Sequence, residues 1–233
     1  MTKSLAYKIL NNGDSAISLV FEAPISEQLN IKIIQLCNCI RENLKQEVQE
    51  VIPAYQSLTV IYDSLLITTK KLNQTISQIA NSPLPKLTVK AKLIKIPVCY
   101  ESEFSPDIDR LSNYSGLSKQ QIIQRHTAPT YRVQMLGFLP GFLYLGGLDE
   151  SLQCPRKTTP EIKIPKGSVG IGGNQTGIYP ISSPGGWQLI GRTPLNLFQP
   201  EKAHPFIASP LDKIQFFSIN KTEFLEMEEN LCR

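Results

Sequence analysis

Twelve of the fourteen glycines in this 233-residue chain fall between Gly137 and Gly191. Glycine at that density means backbone that takes positive φ or approaches something closely, which an ordinary core does not need. Prolines at 140, 155, 160, 165, 180 and 184 stiffen the same stretch. A flexible linker would be rich in Gly and Ser and poor in large apolar residues. This block carries Phe138, Phe142, Leu143, Tyr144, Ile164, Ile171, Tyr179, Trp187, Leu189 and Ile190 instead. It reads as a folded, turn-dense β surface with a shape to hold, and it is where function is expected.

The totals exclude several classes. With 41% apolar and 19% charged residues the chain is globular, large enough for one large or two small domains. Its net charge of +4 is not gathered into a basic run with interleaved aromatics, so no nucleic-acid partner is expected. No apolar run reaches membrane-spanning length, and Met1–Leu10 lacks a signal-peptide pattern. The expected location is the cytoplasm, with no membrane contact. Five cysteines at irregular spacing, Cys37-x-Cys39 among them inside an apolar helical pattern, read as reduced buried thiols. The two histidines, His126 and His204, make no zinc-ligand spacing with them, so no metal site is expected.

Period and punctuation give an α+β protein of two domains, 1–88 and 89–233. Residues 5–10 and 15–21 alternate as two strands, with Leu5, Tyr7 and Ile9 on one face and Asn11–Asp14 as the turn. Ser26 caps a helix whose inward face is Leu29, Ile33, Leu36, Ile40 and Leu44. Val48–Pro53 and Ser57–Tyr62 form a second strand pair, and Leu72, Ile76 and Ile79 mark a second helix. Strands, helix, strands, helix suggest a small α/β sandwich of ferredoxin-like type. The stretch 82–90, with two prolines, marks the boundary. Beyond it come a strand from Leu93, two short helices, the second with a Ser118/Gln121 capping box and a stop at Pro129, and then short apolar runs between Gly/Pro turns to about Phe217. Such a run argues for a barrel or sandwich.

The glycine block matches no simple phosphate motif. Gly172 is followed by Gly173-Asn174, where a Walker loop needs Gly-Lys-Ser/Thr, and strand-like residues follow where the dinucleotide fingerprint needs a helix. Gly170–Gly173 is therefore either a plain hairpin or a backbone anion nest. There is no Gly-x-Ser-x-Gly elbow. His126, at the end of a helix just before the barrel, reads either as a helix-terminal histidine or as a proton-transferring group at the barrel mouth. Arg156 and Arg192, in a charge-poor block, suit a carboxylate or phosphate, with solvated loop positions as the alternative. Trp187, the only tryptophan, packs in the core or lines an apolar groove. His126, Arg156, Gln175, Tyr179 and Arg192 are expected to converge on one cleft, and Phe138, Leu139, Phe142 and Leu143 to form an exposed apolar patch for a partner.

Gly137-Phe-Leu-Pro-Gly-Phe-Leu-Tyr-Leu-Gly-Gly147, Cys154-Pro-Arg-Lys157, Ile164-Pro-Lys-Gly-Ser-Val-Gly-Ile-Gly-Gly173, Gln175-Thr-Gly-Ile-Tyr-Pro180 and Pro184-Gly-Gly-Trp-Gln-Leu-Ile-Gly-Arg-Thr193 resemble the signature of the 5-oxoprolinase B subunit family. That family is also called allophanate hydrolase subunit 1 and sporulation histidine-kinase inhibitor. Gly13-Asp-Ser-Ala16, Ile52–Thr59 and Ile96-Pro-Val98 extend the likeness over nearly the whole chain. A departure follows Val98, where members often carry Tyr-Gly-Gly and this chain has Tyr100-Glu101-Ser102. The resemblance implies a C-terminal barrel of cyclophilin-like fold. It also implies one component of an ATP-using enzyme that opens 5-oxoproline to glutamate together with a homologous C subunit and an A subunit. On that basis His126 and Arg156 are the expected catalytic residues, and Gly172, Gly173, Gln175, Tyr179, Trp187 and Arg192 the expected substrate-binding ones. Two other functions go with the family: a regulator docking on a histidine kinase, and a component of an allophanate-type amidohydrolase.

Overall fold

The computed structural model describes residues 6–87 and 91–231, which divide into two compact units, 1–90 and 91–233. Leu5, Cys232 and the expected boundary between residues 88 and 89 lie outside the described residues.

The first unit runs β1 (Tyr7–Asn11), β2 (Ala16–Phe21), α1 (Glu27–Asn43), β3 (Val48–Pro53), β4 (Ser57–Tyr62) and α2 (Thr69–Asn81). Gly13 turns the first hairpin at φ +73, a conformation that glycine adopts without a Cβ penalty. Ser26 and Thr68 cap the helices, their hydroxyls accepting from the backbone N–H of Leu29 and Lys71. The strands pair antiparallel in the order β1-β2-β4-β3. Alternate residues Ile17, Leu19 and Phe21 of β2 and Leu58, Val60 and Tyr62 of β4 meet Leu29, Ile33, Leu36 and Ile40 of α1 in the core. The element order is that of the ferredoxin-like β-α-β-β-α-β motif with its last strand moved to the front. Ferredoxin-like pairing is thus kept while the connectivity is permuted.

The second unit opens with β5 (Leu93–Cys99) and two helices, α3 (Ile108–Ser115) and α4 (Lys119–Thr127). Gly116 ends α3 in the left-handed region, and both hydrogen bonds of the Ser118/Gln121 capping box start α4. Then follow β6 (Tyr131–Leu136), β7 (Leu143–Gly146), a 3-10 turn (Glu150–Leu152), β8 (Glu161–Ile164), β9 (Ser168–Gly172), β10 (Gln175–Ile178), β11 (Ser183–Gly185), β12 (Gln188–Arg192), β13 (Lys213–Ile219) and α5 (Lys221–Leu231). Seven of these strands close a barrel in the order β10-β7-β6-β13-β5-β12-β9, while β8 and β11 form a separate ribbon. Val98, Val133, Leu145, Val169, Ile171, Ile178, Ile190 and Phe216 belong to its core. All barrel pairs are antiparallel except β5 with β13, which run parallel.

The apolar patch expected of Phe138, Leu139, Phe142 and Leu143 does not form. Phe142 and Leu143 are buried in the unit's own core and only Phe138 stands out, 61% exposed. The strand alternation that sends Leu143 into the barrel leaves no four-residue patch. Phe138 itself holds φ +69, a strained conformation for a residue with a large side chain.

Candidate functional site

Glycines on the outer face of the β9–β10 hairpin make room for a tryptophan. A Cβ on Gly172 would lie 2.5 Å from Trp187 Cε2, one on Gly177 2.9 Å from the same indole, and one on Gly170 3.1 Å from Trp187 Cβ. Gly172 therefore leaves the space that the Trp187 ring fills; Gly177 lies closer still to the Leu143 carbonyl (2.5 Å), and Gly170 makes only a tight contact with Trp187 Cβ. Around the indole stand Phe142, centroid 5.5 Å away and edge-on, Tyr144 at 5.7 Å and Tyr179 at 6.4 Å. Edge-to-face contacts of this kind add to the burial that holds aromatic clusters together. Burial pushes the Tyr179 phenol up to about 12, so it stays a neutral hydroxyl.

Arg156 covers this surface from the solvent side. Its guanidinium carbon sits 5.7 Å from the Trp187 ring centroid, within cation–π range. Among the described residues the guanidinium has no carboxylate and no hydrogen-bond acceptor, so its planar fork is available to a ligand anion. The backbone on either side of Arg156 is fixed. Cys154 exchanges two backbone hydrogen bonds with Gly173, at 2.8 and 3.2 Å. Gln188 Nε2 donates to the Pro155 carbonyl at 2.8 Å, and the Lys157 N–H donates to the Gly186 carbonyl at 2.6 Å.

Lys157 anchors the segment. Its side chain is 8% exposed, and the ammonium lies 2.5 Å from Asp107 Oδ2 and also pairs with Glu161. Burial alone would depress this lysine, but hydrogen bonds and charge from Asp107 and Glu161 outweigh it and hold the pKa above the usual lysine value. Asp107 precedes α3 yet makes no side-chain cap. Its carboxylate turns instead to accept from the Leu189 N–H at 2.7 Å, while its own N–H donates to the Leu189 carbonyl at 3.0 Å. Neither Asp107 nor Lys157 stands out in the sequence. Lys157 and Glu161 have i,i+4 spacing, which reads as an exposed helical pair, and Asp107 after Pro106 reads as a helix cap.

The expected cleft does not form as a single site. Arg156, Tyr179, Trp187 and Gly172 come together, and Gln175 lies beside them in register with Gly172 across the hairpin. Arg192 is held elsewhere. Its Nε donates to the Lys166 carbonyl at 2.9 Å, its guanidinium lies 3.5 Å from Glu228 and covers Phe224 on α5, and it lines a small cavity of about 80 Å³ with Asn196 and Leu231. These contacts turn Arg192 toward α5 and away from Arg156 and Trp187.

His126 is not at a barrel mouth either. It is fully buried, stacked on Phe216 with centroids 4.6 Å apart. Nδ1 lies 2.7 Å from the Tyr100 hydroxyl and Nε2 lies 2.9 Å from Thr176 Oγ1. Thr176 gives its own proton to the Gly170 carbonyl at 3.0 Å, so Oγ1 accepts from an Nε2–H and Nδ1 accepts from Tyr100. Desolvation lowers the ring to about 3, which keeps it neutral. The barrel interior closes over an imidazole whose two nitrogens are both satisfied by Tyr100 and Thr176.

Gly170–Gly173 is a hairpin. Gly170–Gly172 pair with 177–175, and the N–H of Gly173, which has φ +68, is taken by the Cys154 carbonyl. Its amides do not gather into an anion nest.

The chain matches the family model described as carboxyltransferase domain, subdomain C and D, over residues 7–208. It is 40% identical to the 5-oxoprolinase B subunit of Bacillus subtilis (strain 168), over 97% of this chain and 98% of that one. Among solved structures, a conserved uncharacterized protein from Pyrococcus horikoshii is 42% identical over 93% of this chain and all of its own, with a TM-score of 0.56. The urea amidolyase of K. lactis shares the fold at a TM-score of 0.84 and 20% identity, over 97% of this chain and 16% of that one. No helix among the described residues is long and apolar enough to cross a membrane. The long motifs, the barrel they build and the near end-to-end match together establish that the chain belongs to the 5-oxoprolinase B subunit family, within the carboxyltransferase subdomain C and D group.

Proposed function

We propose that this chain is the B subunit of a cytoplasmic, ATP-dependent 5-oxoprolinase, acting with a homologous C subunit and an A subunit to open 5-oxoproline to glutamate. The observation that carries this reading is the 40% identity to the Bacillus subtilis 5-oxoprolinase B subunit across almost the full length of both chains. The surface at Arg156 suits the substrate. 5-Oxoproline is a flat five-membered lactam bearing one carboxylate. A guanidinium fork takes a carboxylate in two parallel hydrogen bonds, and aromatic faces and edges accept the ring beside it. Arg156 supplies the fork and half-buried Tyr144 an aromatic edge beside it, over a buried cluster of Trp187, Phe142 and the neutral Tyr179 phenol.

An unstrained lactam resists water, so its hydrolysis is coupled to ATP, which supplies activation of the amide. The residues of this chain do not fit a phosphate at Gly170–Gly173, because the hairpin ladder and Cys154 take up that backbone. ATP is therefore assigned to the assembled complex and no step on this chain runs through it. What the chain contributes is binding and orientation of the substrate anion.

The test is to purify the chain with its two partner subunits and measure conversion of 5-oxoproline to glutamate with and without ATP. Glutamate formed only when ATP and all three chains are present supports the proposal. A complex that turns over 5-oxoproline equally well without this chain overturns it.

A further inference from the structure

We infer that Lys157 is a positioning residue, which through Asp107 and Gly186 holds the Arg156 guanidinium over the Trp187 ring and presents it to a carboxylate-bearing ligand. The inference rests on the proposed 5-oxoproline site and names the device that builds it.

Three observations converge on Lys157. The side chain is almost enclosed, and two carboxylates from separate elements meet its ammonium, Asp107 before α3 and Glu161 on β8. Its backbone N–H is bonded to Gly186, the residue before Trp187. Asp107 in turn brackets Leu189, two residues after Trp187, through both its carboxylate and its own N–H. Lys157 and its ion-pair partner thus clamp the chain on both sides of the indole, while Lys157 adjoins the arginine that covers it. A lysine serving only solubility would keep its charge in water. This one is desolvated, and removing one partner of a buried pair leaves an uncompensated charge. The arrangement trades that risk for a fixed Arg156, and a fixed group binds better because less ordering is left for the ligand to impose.

Trp187 is the only tryptophan in the chain, so its fluorescence reports this site alone. The experiment compares the full chain with Lys157→Met, Lys157→Arg, Arg156→Ala and the double variant Arg156→Ala/Lys157→Met. Trp187 emission is followed while iodide, acrylamide or 5-oxoproline is added, and each variant is first shown to be folded by circular dichroism. In the parent, the guanidinium draws iodide to the indole and raises quenching by iodide relative to acrylamide. Lys157→Met is expected to lower that ratio as Arg156→Ala does, and the double variant to go no lower. Such non-additivity means that the two residues act as one unit. Weakening of 5-oxoproline binding by about 10-fold to 100-fold in Lys157→Met, with Lys157→Arg close to parent, is the scale expected of a misplaced binding group.

An unchanged quenching ratio in Lys157→Met, or additive effects in the double variant, overturns the inference. If Lys157→Met does not fold, Asp107→Asn carries the same comparison, since its amide oxygen still accepts from Leu189 but the charge facing Lys157 is gone. A parent chain that ignores 5-oxoproline yet shows the non-additive quenching would sink the substrate reading and keep the positioning one.

Discussion

His126 Nε2 donates to Thr176 Oγ1 across 2.9 Å of barrel interior, tying the last turn of α4 to β10. Because Tyr100 satisfies Nδ1, the imidazole has one stable tautomer and no place for a second proton. The ring therefore works as a neutral strut, and its ionisation is a matter of stability.

That gives a pH dependence with a definite sign. The folded ring titrates at about 3 and an unfolded histidine near its ordinary value of 6.5, so the unfolded chain takes up the proton first. The contribution is fully present above pH 6.5 and is lost as pH falls from 6.5 toward 3. The loss is up to about 1.4 kcal/mol per pH unit. Urea unfolding followed by Trp187 emission, between about pH 7 and pH 4.5, should show a steeper acid loss in the parent than in His126→Gln. Equal slopes would mean that His126 is charged in the fold.

Removing the partners separately ranks the network. Tyr100→Phe leaves one buried nitrogen without a donor and should cost about 1–3 kcal/mol. Thr176→Val leaves the buried Nε2–H without an acceptor and also removes the bond from the Thr176 hydroxyl to the Gly170 carbonyl, and should cost more. Thermal melts that put Thr176→Val above Tyr100→Phe would contradict the assigned proton directions.

Two adjacent glycines should fail in different ways. Gly172→Ala drives a Cβ into the indole, an overpacking cost of about 1–3 kcal/mol, and shifts Trp187 emission. Gly173→Ala meets no atom within 4 Å, so it bears only the left-handed backbone cost of about 1–2 kcal/mol and leaves the emission unchanged. A matching emission change in both would show that the strands shift as a whole.

The two arginines should also separate. Arg156→Ala is expected to lower kcat/KM of the assembled enzyme by about 100-fold, mainly through KM, the scale for a lost group that binds and orients the substrate. The melting temperature should barely move, since the cation–π contact adds only about 0.5–1 kcal/mol. Arg192→Ala removes the contacts that fasten α5 and should lower the melting temperature while leaving kcat within about twofold of the parent, as surface changes away from a site do. Steady-state kinetics and differential scanning calorimetry on both variants distinguish the roles, and a reversal would exchange them.

Local signals are legible in the sequence where local physics decides. The Ser26 cap, the Ser118/Gln121 box and the alternation of Ile17, Leu19 and Phe21 each fix an element by contacts within a few residues. The glycine block announces a close approach and names the region, but not Trp187 as the thing approached. His126 is misread because a helix terminus is visible in sequence while the barrel strand that encloses it, carrying Thr176, lies fifty positions away. Arg192 looks like Arg156 because both sit in charge-poor sequence. Only the fold sets Glu228 beside one and leaves the other without a counterion among the described residues. Lys157 is hidden for the same reason, since its principal partner, Asp107, comes from a separate element.

The parallel seam between β5 and β13 has a consequence for how this molecule comes into being. Leu93 pairs with Lys213, 120 positions later, so the ring of strands cannot shut until nearly all of the second unit has left the ribosome. Until then β5 carries an unsatisfied edge, and the loop to be closed is among the longest in the chain. Such distant pairings are slow to form and leave nascent chains prone to association. A nascent chain stalled before Lys213 would present that edge to any neighbouring strand, which makes the β5–β13 seam the step at which chaperone protection has the most to prevent.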